Sequence, residues 1–269
     1  MINKLKQTFV YIFLIIVSVV SVFPFLWMII GATNKSKDIT LGKLSFGGEI
    51  IENFKKLSEL VDLKTVTINS FKIAIIVTIV TLLICSMAGY GFEIYKSKTR
   101  DNLFAVLLLS MMLPFAAMMI PLFKLFSKMG LLNTHIAVIL PTAATAFLIF
   151  FFRQSTKSFP KDLIEAARVD GLNELQIFFK IYMPTMKSTY AAAAIISFMG
   201  SWNNFLWPLI VLQTPDKKTL PLVISSLSSS YTPDYGVIMV AIIISILPML
   251  IIFFLLQKNF VEGMVGSIK

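Results

Sequence analysis

Two short stretches hold most of the side chains in this chain that could recognise something. Glu165, Arg168, Asp170, Glu174 and Lys180 fall between Glu165 and Pro184, and two adjacent amides, Asn203 and Asn204, stand between Trp202 and Trp207. Mixed acids and bases on a helix-forming segment suit docking into a protein cleft, or lying flat on a membrane surface. Amides between aromatic faces suit the holding of a sugar or a similar polar solute. Catalysis fits neither stretch. Cys85 is the only cysteine and lies in an apolar run, and His135 is the only histidine, so neither a disulfide nor a metal centre is expected. A membrane-embedded enzyme would need His, Asp or Glu clustered within the apolar segments, and the sequence offers no such cluster.

The elements that position these residues must be membrane helices. Of 269 residues, 57% are hydrophobic and 14% charged, with 24 Phe, against ~25% charged in a soluble domain. The net charge of +10 is spread over short connections, as membrane topology requires, and is not gathered on one face as nucleic-acid binding requires. A span needs about 20 apolar residues. Six uncharged windows qualify, at about 9–32, 73–92, 102–123, 136–152, 188–213 and 237–257, which predicts an all-α membrane protein with one transmembrane domain over 1–269. The length of the first window and the lack of a small-residue cleavage site favour a retained span over a signal peptide. With the N-terminus inside, the inner segments carry 13 Lys and Arg against 10 in the outer ones, and Lys96, Lys98 and Arg100 crowd one short inner turn. Both termini are therefore expected on the cytoplasmic side.

The six windows contain no Asp, Glu, Lys or Arg. Ion-coupled transporters and proton pumps generally need such groups at the midplane, so any energy for uphill transport is expected to come from outside the chain. Ser201, Trp202, Asn203 and Asn204 would be costly against lipid and should face the bundle interior or a water-filled cavity. The competing arrangement has the two amides pairing across helices and the two tryptophans anchoring at a membrane interface. Pro208 predicts a kink, and Pro24, Pro114, Pro121, Pro141 and Pro248 also fall in or beside spans. In the outer segment 33–67, the run Glu52–Leu57 predicts a short amphipathic helix, and Ser225–Ser230 reads as a flexible or interfacial stretch.

The charged stretch predicts two helices meeting at a glycine. Lys161–Asp170 follows Pro160 and carries Asp162 and Glu165 early, with Gly171 as a left-handed stop. Asn173 then caps a second helix, with Gln176 reaching back in a capping box, and Pro184 is expected to end it. Ala166 and Ala167 are small enough to let another surface approach.

These residues carry a family resemblance. Glu165-Ala166-Ala167, three residues, Gly171, nine residues, Ile181, one residue and Met183-Pro184 resemble the cytoplasmic loop signature of ABC importer permeases, EAA-x3-G-x9-I-x-LP, with Met183 for the usual Leu. The departure nearly conserves volume. Pro121–Phe123 with Gly130–Thr134, Trp202–Pro208, Thr219–Leu222 and Phe260–Lys269 are similar to the carbohydrate branch, the second permease of maltose-type importers, so the resemblance covers nearly the whole chain. Asn204 stands where many relatives have an acid.

The resemblance implies a type I ABC importer permease fold with a cytoplasmic coupling helix between spans 4 and 5, in the bacterial cytoplasmic membrane. It implies a second, homologous permease, two ATPase subunits that use ATP and Mg, and an extracytoplasmic sugar-binding protein. Coupling to the ATPase would fall to Glu165, Ala166, Ala167, Asp170 and Gly171, and the substrate path to Ser201, Trp202, Asn203 and Asn204. Contact with the binding protein would fall to the segment 214–221, with Asp216, Lys217 and Lys218, while the tail to Lys269 would reach toward the ATPase. No glycine-rich phosphate loop followed by Lys and Ser or Thr occurs, so the chain is expected to bind no cofactor, nucleotide or metal. The alternatives are a self-sufficient channel for a small polar solute, which would not need the docking helices, and an ABC permease for a solute other than sugar.

Overall fold

A computed structural model describes residues 2–265, with side chains over 6–255 and at 257. The end of the tail, 266–269, where contact with an ATPase was expected, lies outside the described residues. All the regular structure described is helical, and it divides into two compact units, residues 1–64 with 223–248, and 65–222 with 249–269.

In the first unit, α1 (Ile2–Ala32) is followed by α2 (Ser36–Thr40) and α3 (Ile50–Leu60). The amphipathic helix expected at Glu52–Leu57 is α3. It is pinned by Asn53, whose buried amide donates to the carbonyls of Ala32 at 2.9 Å and Asn34 at 3.1 Å, and by Leu57, which packs with Ala32, Val237, Val240 and Ala241. The unpaired carbonyls at the end of α1 thus find partners, as buried backbone groups must.

α4 (Leu63–Ile94) continues into the second unit and is longer than the 73–92 window. The expected third span is broken: α5 (Lys98–Ser110) and α6 (Phe115–Lys128) meet at 99°. The chain turns tightly after Ser110, and Pro114, which has no N–H to continue the ladder, precedes α6. The expected fourth span is bent by 42°, between α7 (His135–Ile139) with a 3₁₀ turn at Leu140–Thr142 and α8 (Ala146–Thr156). Thr145 restarts the helix by accepting the Leu148 amide. Among the described residues, four helices are long and apolar enough to cross a membrane, or up to six if each bent pair counts as one span.

α9 (Asp162–Val169), α10 (Glu174–Ile177), a π-helical turn at Phe178–Tyr182 and α11 (Met183–Thr185) lead into α12 (Lys187–Trp202). Pro184 does not end the helix as expected. It lies in the first positions of α11, directly after the wide turn, where a missing N–H costs no intrahelical bond. After α12 come α13 (Leu206–Val211), a 3₁₀ turn at Pro215–Lys217, α14 (Leu220–Ser228) and α15 (Tyr235–Val265). The serine run from Ser225 is helical through Ser228, which goes against the flexible alternative of its reading and leaves the interfacial one open. Ser226, Ser228 and Ser229 return their hydroxyls to carbonyls three or four residues back.

One row of α4 explains how the second unit closes. Thr81, Cys85, Gly89 and Glu93, four residues apart and so on one face, meet the segment 142–153 in order. Thr81 donates to the Thr142 carbonyl at 3.0 Å, Cys85 lies 3.7 Å from the Thr145 carbonyl, and Gly89 lies against Phe152.

Candidate functional site

The loop between the expected fourth and fifth spans forms around a buried cluster of Phe159, Ile164, Ala167, Ile177, Phe178 and Tyr182, with Tyr90 from α4. Apolar residues alternate with charged ones at helical spacing through α9 and α10, so each helix turns one side into this cluster and leaves the other in solvent. Gly171 at φ 80° makes the joint between them, in a conformation that costs other residues roughly 1–2 kcal/mol. The expected capping box is present. Asn173 Oδ1 accepts the Gln176 amide at 2.9 Å, and Gln176 Oε1 accepts the Asn173 amide at 3.0 Å.

Of the residues expected to face an ATPase, Glu165, Ala166, Asp170 and Gly171 are exposed. They share the outer surface with Val169, 88% exposed, and with Leu163 and Leu175. Ala167 is different. It is 4% exposed, inside the knob's own core, so its small size serves packing between α9 and the π turn rather than the approach of another protein.

Sequence reasoning missed a buried charge at the base of this loop. Glu93 is one residue beyond the apolar window that ends at Phe92, yet it lies within α4 and is 2% exposed. Its carboxylate meets Lys96 at 2.7 Å and Arg153 at 3.7 Å. Arg153 in turn donates to Asp101 at 2.5 Å and lies 4.1 Å from the centroid of the Phe104 ring. The ends of α4, α5 and α8 are thereby joined through charge. The spacing of Glu93 four residues after Gly89 was the signal that could have found it.

At the other stretch, the fifth span breaks at Asn203–Phe205. Pro208 sets the place. It has no N–H and falls in the first turn of α13, where none is needed. Ser201 and Asn204 are partly exposed and Asn203 is exposed, with its amide returned to the Met199 carbonyl at 3.0 Å. These three polar residues therefore stand at or beside the helix break, near the open flank of Gly200. Trp202 points the other way, 2% exposed, with Phe71 edge-on at 4.8 Å and Phe198 stacked at 5.6 Å. It holds the break from behind. Trp207 is wholly buried against Phe115 and Phe126, and its Nε1 donates to the Ala137 carbonyl at 2.7 Å. The two amides do not pair with each other, and neither tryptophan occupies a surface position. Trp207→Phe is expected to lower stability by about 1 kcal/mol, the worth of that hydrogen bond, read as a reduced thermal midpoint of the detergent-solubilised protein.

The segment with Asp216, Lys217 and Lys218 is held as a shaped loop. Asn69 donates to the carbonyls of Asp216 at 2.8 Å and Lys218 at 3.1 Å, His135 Nε2 lies 3.2 Å from the Lys217 carbonyl, and Ser70 accepts the Leu220 amide. Asn133, at φ 58°, accepts the amides of Gln213 at 3.0 Å and Thr214 at 3.1 Å. This leaves the Asp216 side chain exposed and both lysines partly exposed on a fixed backbone. Asn133→Ala is expected to speed hydrogen exchange at the Gln213 and Thr214 amides at least tenfold, because an opening penalty of ~1.4 kcal/mol per decade is removed with those bonds. Exchange unchanged there would show that other contacts hold the loop.

Comparison with known proteins places these features in a wider set. Residues 81–266 match the family described as binding-protein-dependent transport system inner membrane component. The chain is 53% identical over 267 residues, 99% of its length and 98% of the relative's, to the lactose transport system permease protein LacG of Rhizobium radiobacter. It is 43% identical over 202 residues, 75% of the chain and 72% of the relative, to the arabinooligosaccharides transport system permease protein AraQ of Bacillus subtilis. A chain from the crystal structure of a bacterial ABC transporter involved in the import of the acidic polysaccharide alginate is similar in fold, with a TM-score of 0.86 at 20% identity, over 96% of this chain and 97% of that one.

Proposed function

We propose, given that this chain belongs to the family of binding-protein-dependent transport system inner membrane components, that it forms one half of a sugar path whose gate is worked by partner ATPases. The type I permease fold and the multi-pass membrane location are common ground with that family. Sugar as the solute is supported by the relatives named for lactose and arabinooligosaccharides, and by Ser201, Asn203 and Asn204 at or beside the break in the fifth span.

The observation that carries the gating role is the exposed face of α9. Glu165, Ala166 and Val169 stand out from a knob whose other side is locked into the cluster around Tyr182, and none of the described residues covers them. An ATPase cleft that receives this face can push on the knob. From the knob, helix runs through the π turn and α11 almost without interruption to α12 and the polar break at its end. ATP binding and hydrolysis, with Mg, occur in the two ATPase subunits, and their closure biases a choice between inward-open and outward-open forms. A second permease completes the path. In this reading the loop bearing Asp216, Lys217 and Lys218 meets the sugar-binding protein outside, and both termini and the 162–185 knob face the cytoplasm, an orientation supported by the Lys and Arg bias of the connecting segments.

The test is reconstitution of the complete transporter from co-expressed neighbouring genes. Uptake of lactose or an arabinooligosaccharide is expected only with ATP, the ATPase and the binding protein all present. Uptake by the permeases alone would overturn the reading in favour of a self-sufficient channel. Asn203→Ala is expected to slow sugar uptake by about two- to tenfold, the range of one hydrogen bond to a solute, without loss of assembled complex. An equal loss of complex and of uptake would make Asn203 structural.

A further inference from the structure

Gly171 gives the knob freedom, and freedom alone cannot transmit a push. It lies at φ 80°, exposed, with open space where a Cβ would stand. The apolar cluster holds the buried side of the joint, while on the exposed side the angle between α9 and α10 depends on whatever bonds cross the glycine.

We propose that Arg168, Glu174 and Tyr95 are positioning residues which fix the angle between α9 and α10 and carry movement of the coupling knob directly to the end of α4. This rests on the reading of the knob as the ATPase contact. Arg168 is on α9 and Glu174 is the first residue of α10, and Arg168 Nε donates to Glu174 Oε1 at 2.8 Å across the glycine joint. The other carboxylate oxygen, Oε2, accepts from the Tyr95 hydroxyl. Tyr95 is the residue directly after α4. Its ring is approached by two cations, with the guanidinium carbon of Arg168 at 6.0 Å and that of Arg100 at 5.5 Å from its centroid, while Arg100 also donates to the Tyr95 carbonyl. The ring meets Tyr90 edge-on at 6.1 Å. One carboxylate therefore ties together α9, α10 and the α4–α5 turn.

The arrangement is poorly explained as a device for stability. Both partners of the ion pair are more than 40% exposed, and pairs of that kind are worth little in water. Nor is Glu174 needed to cap its helix, since Asn173 and Gln176 already form the capping box. Geometry is what it adds. With the brace in place, a rotation of α9 must either break one of the two bonds to Glu174 or drag Tyr95 with it. The knob then acts on two helices, α12 through the chain and α4 through Tyr95. Hydrogen bonds from Arg168 and then from Tyr95 hold the Glu174 carboxyl below its ordinary range.

The experiment uses the complete transporter in proteoliposomes and reads sugar moved per ATP hydrolysed, with the amount of co-purified ATPase as the measure of assembly. Glu174→Gln and Tyr95→Phe are each expected to lower that ratio about fivefold or more, the lower end of an ordinary coupling energy, while assembly holds. The exchange Arg168→Glu with Glu174→Arg is expected to recover much of the loss seen with either single change. A ratio unchanged in Glu174→Gln and Tyr95→Phe, or a loss that only follows loss of complex, would overturn the inference. Glu165→Ala, measured alongside, separates the two levels. If it uncouples transport while the brace variants do not, the brace fails and the docking reading stands. If neither uncouples transport, the docking reading has failed as well.

Discussion

Replacing Gly89 by leucine is expected to leave little folded protein in the membrane. Gly89 stands in the row of α4 that lies along 142–153, and a Cβ there would come within 2.6 Å of the Phe152 Cβ, 2.8 Å of the Arg153 amide nitrogen and 3.0 Å of the Phe152 carbonyl carbon. Two of these atoms are backbone and cannot rotate away. Even alanine sets two effects against each other. It gains about 1 kcal/mol of helix propensity, and it forces α4 and α8 apart at a typical overpacking cost of about 1–3 kcal/mol. The contact is short enough that the second effect should win by a small margin. Leucine gains no more propensity and adds three further carbons at the same point, so the helices must separate along Thr81, Cys85 and Gly89 together. Small residues that let membrane helices approach closely have no larger substitute. The measurement is the yield of monodisperse protein after detergent extraction, with Gly91, which faces open space, changed to leucine as the control. Equal yields of the two variants would show that the α4–α8 contact can relax.

Loss of Glu93 is the second large effect. Breaking a buried ion pair from one side costs about 3–5 kcal/mol when the remaining charge has no other partner. Arg153 keeps Asp101 at 2.5 Å and the Phe104 ring, so the expected cost of Glu93→Ala is smaller, about 2–3 kcal/mol. In a chain of this size that corresponds to a fall of roughly 5–10 °C in thermal midpoint. The double change Glu93→Leu with Arg153→Met removes both charges and is expected to recover part of the fall, since well-packed apolar pairs often replace buried ions at little cost. A Glu93→Ala protein with the parent's midpoint would mean that water reaches the site and that the burial of Glu93 carries no energetic weight.

How far the sequence could be read depended on the kind of signal. Hydropathy located the four long apolar helices and both bent pairs, because about 20 apolar residues have few other solutions in a bilayer. It could not see that Pro114 and Pro141 accompany bends of 99° and 42°, since a window average has no direction. The joint at Gly171 and the cap at Asn173 were legible because each rests on a local rule for particular residues. The roles of Ala166 and Ala167 were not separable, for only the helical phase against Ile164 and Ile177 shows that the second faces inward. Tryptophans beside amides suggested a binding surface, yet Trp202 and Trp207 are core residues, placed by contacts with Phe71 and Ala137 that lie far away in sequence. Glu93 and Tyr95 escaped notice for a related reason. They stand at the end of a span, where a charge looks solvated until the helices packed against it are known.

The central claim is that this chain moves its solute only when an ATPase pushes on the face presented by Gly171. The most direct measurement is sugar uptake per ATP hydrolysed by the reconstituted transporter carrying Gly171→Pro, because proline holds φ near −65° and cannot take the 80° of this joint. The account predicts an assembled complex that still hydrolyses ATP and transports almost no sugar. Uptake at the parent's ratio in that variant would contradict it.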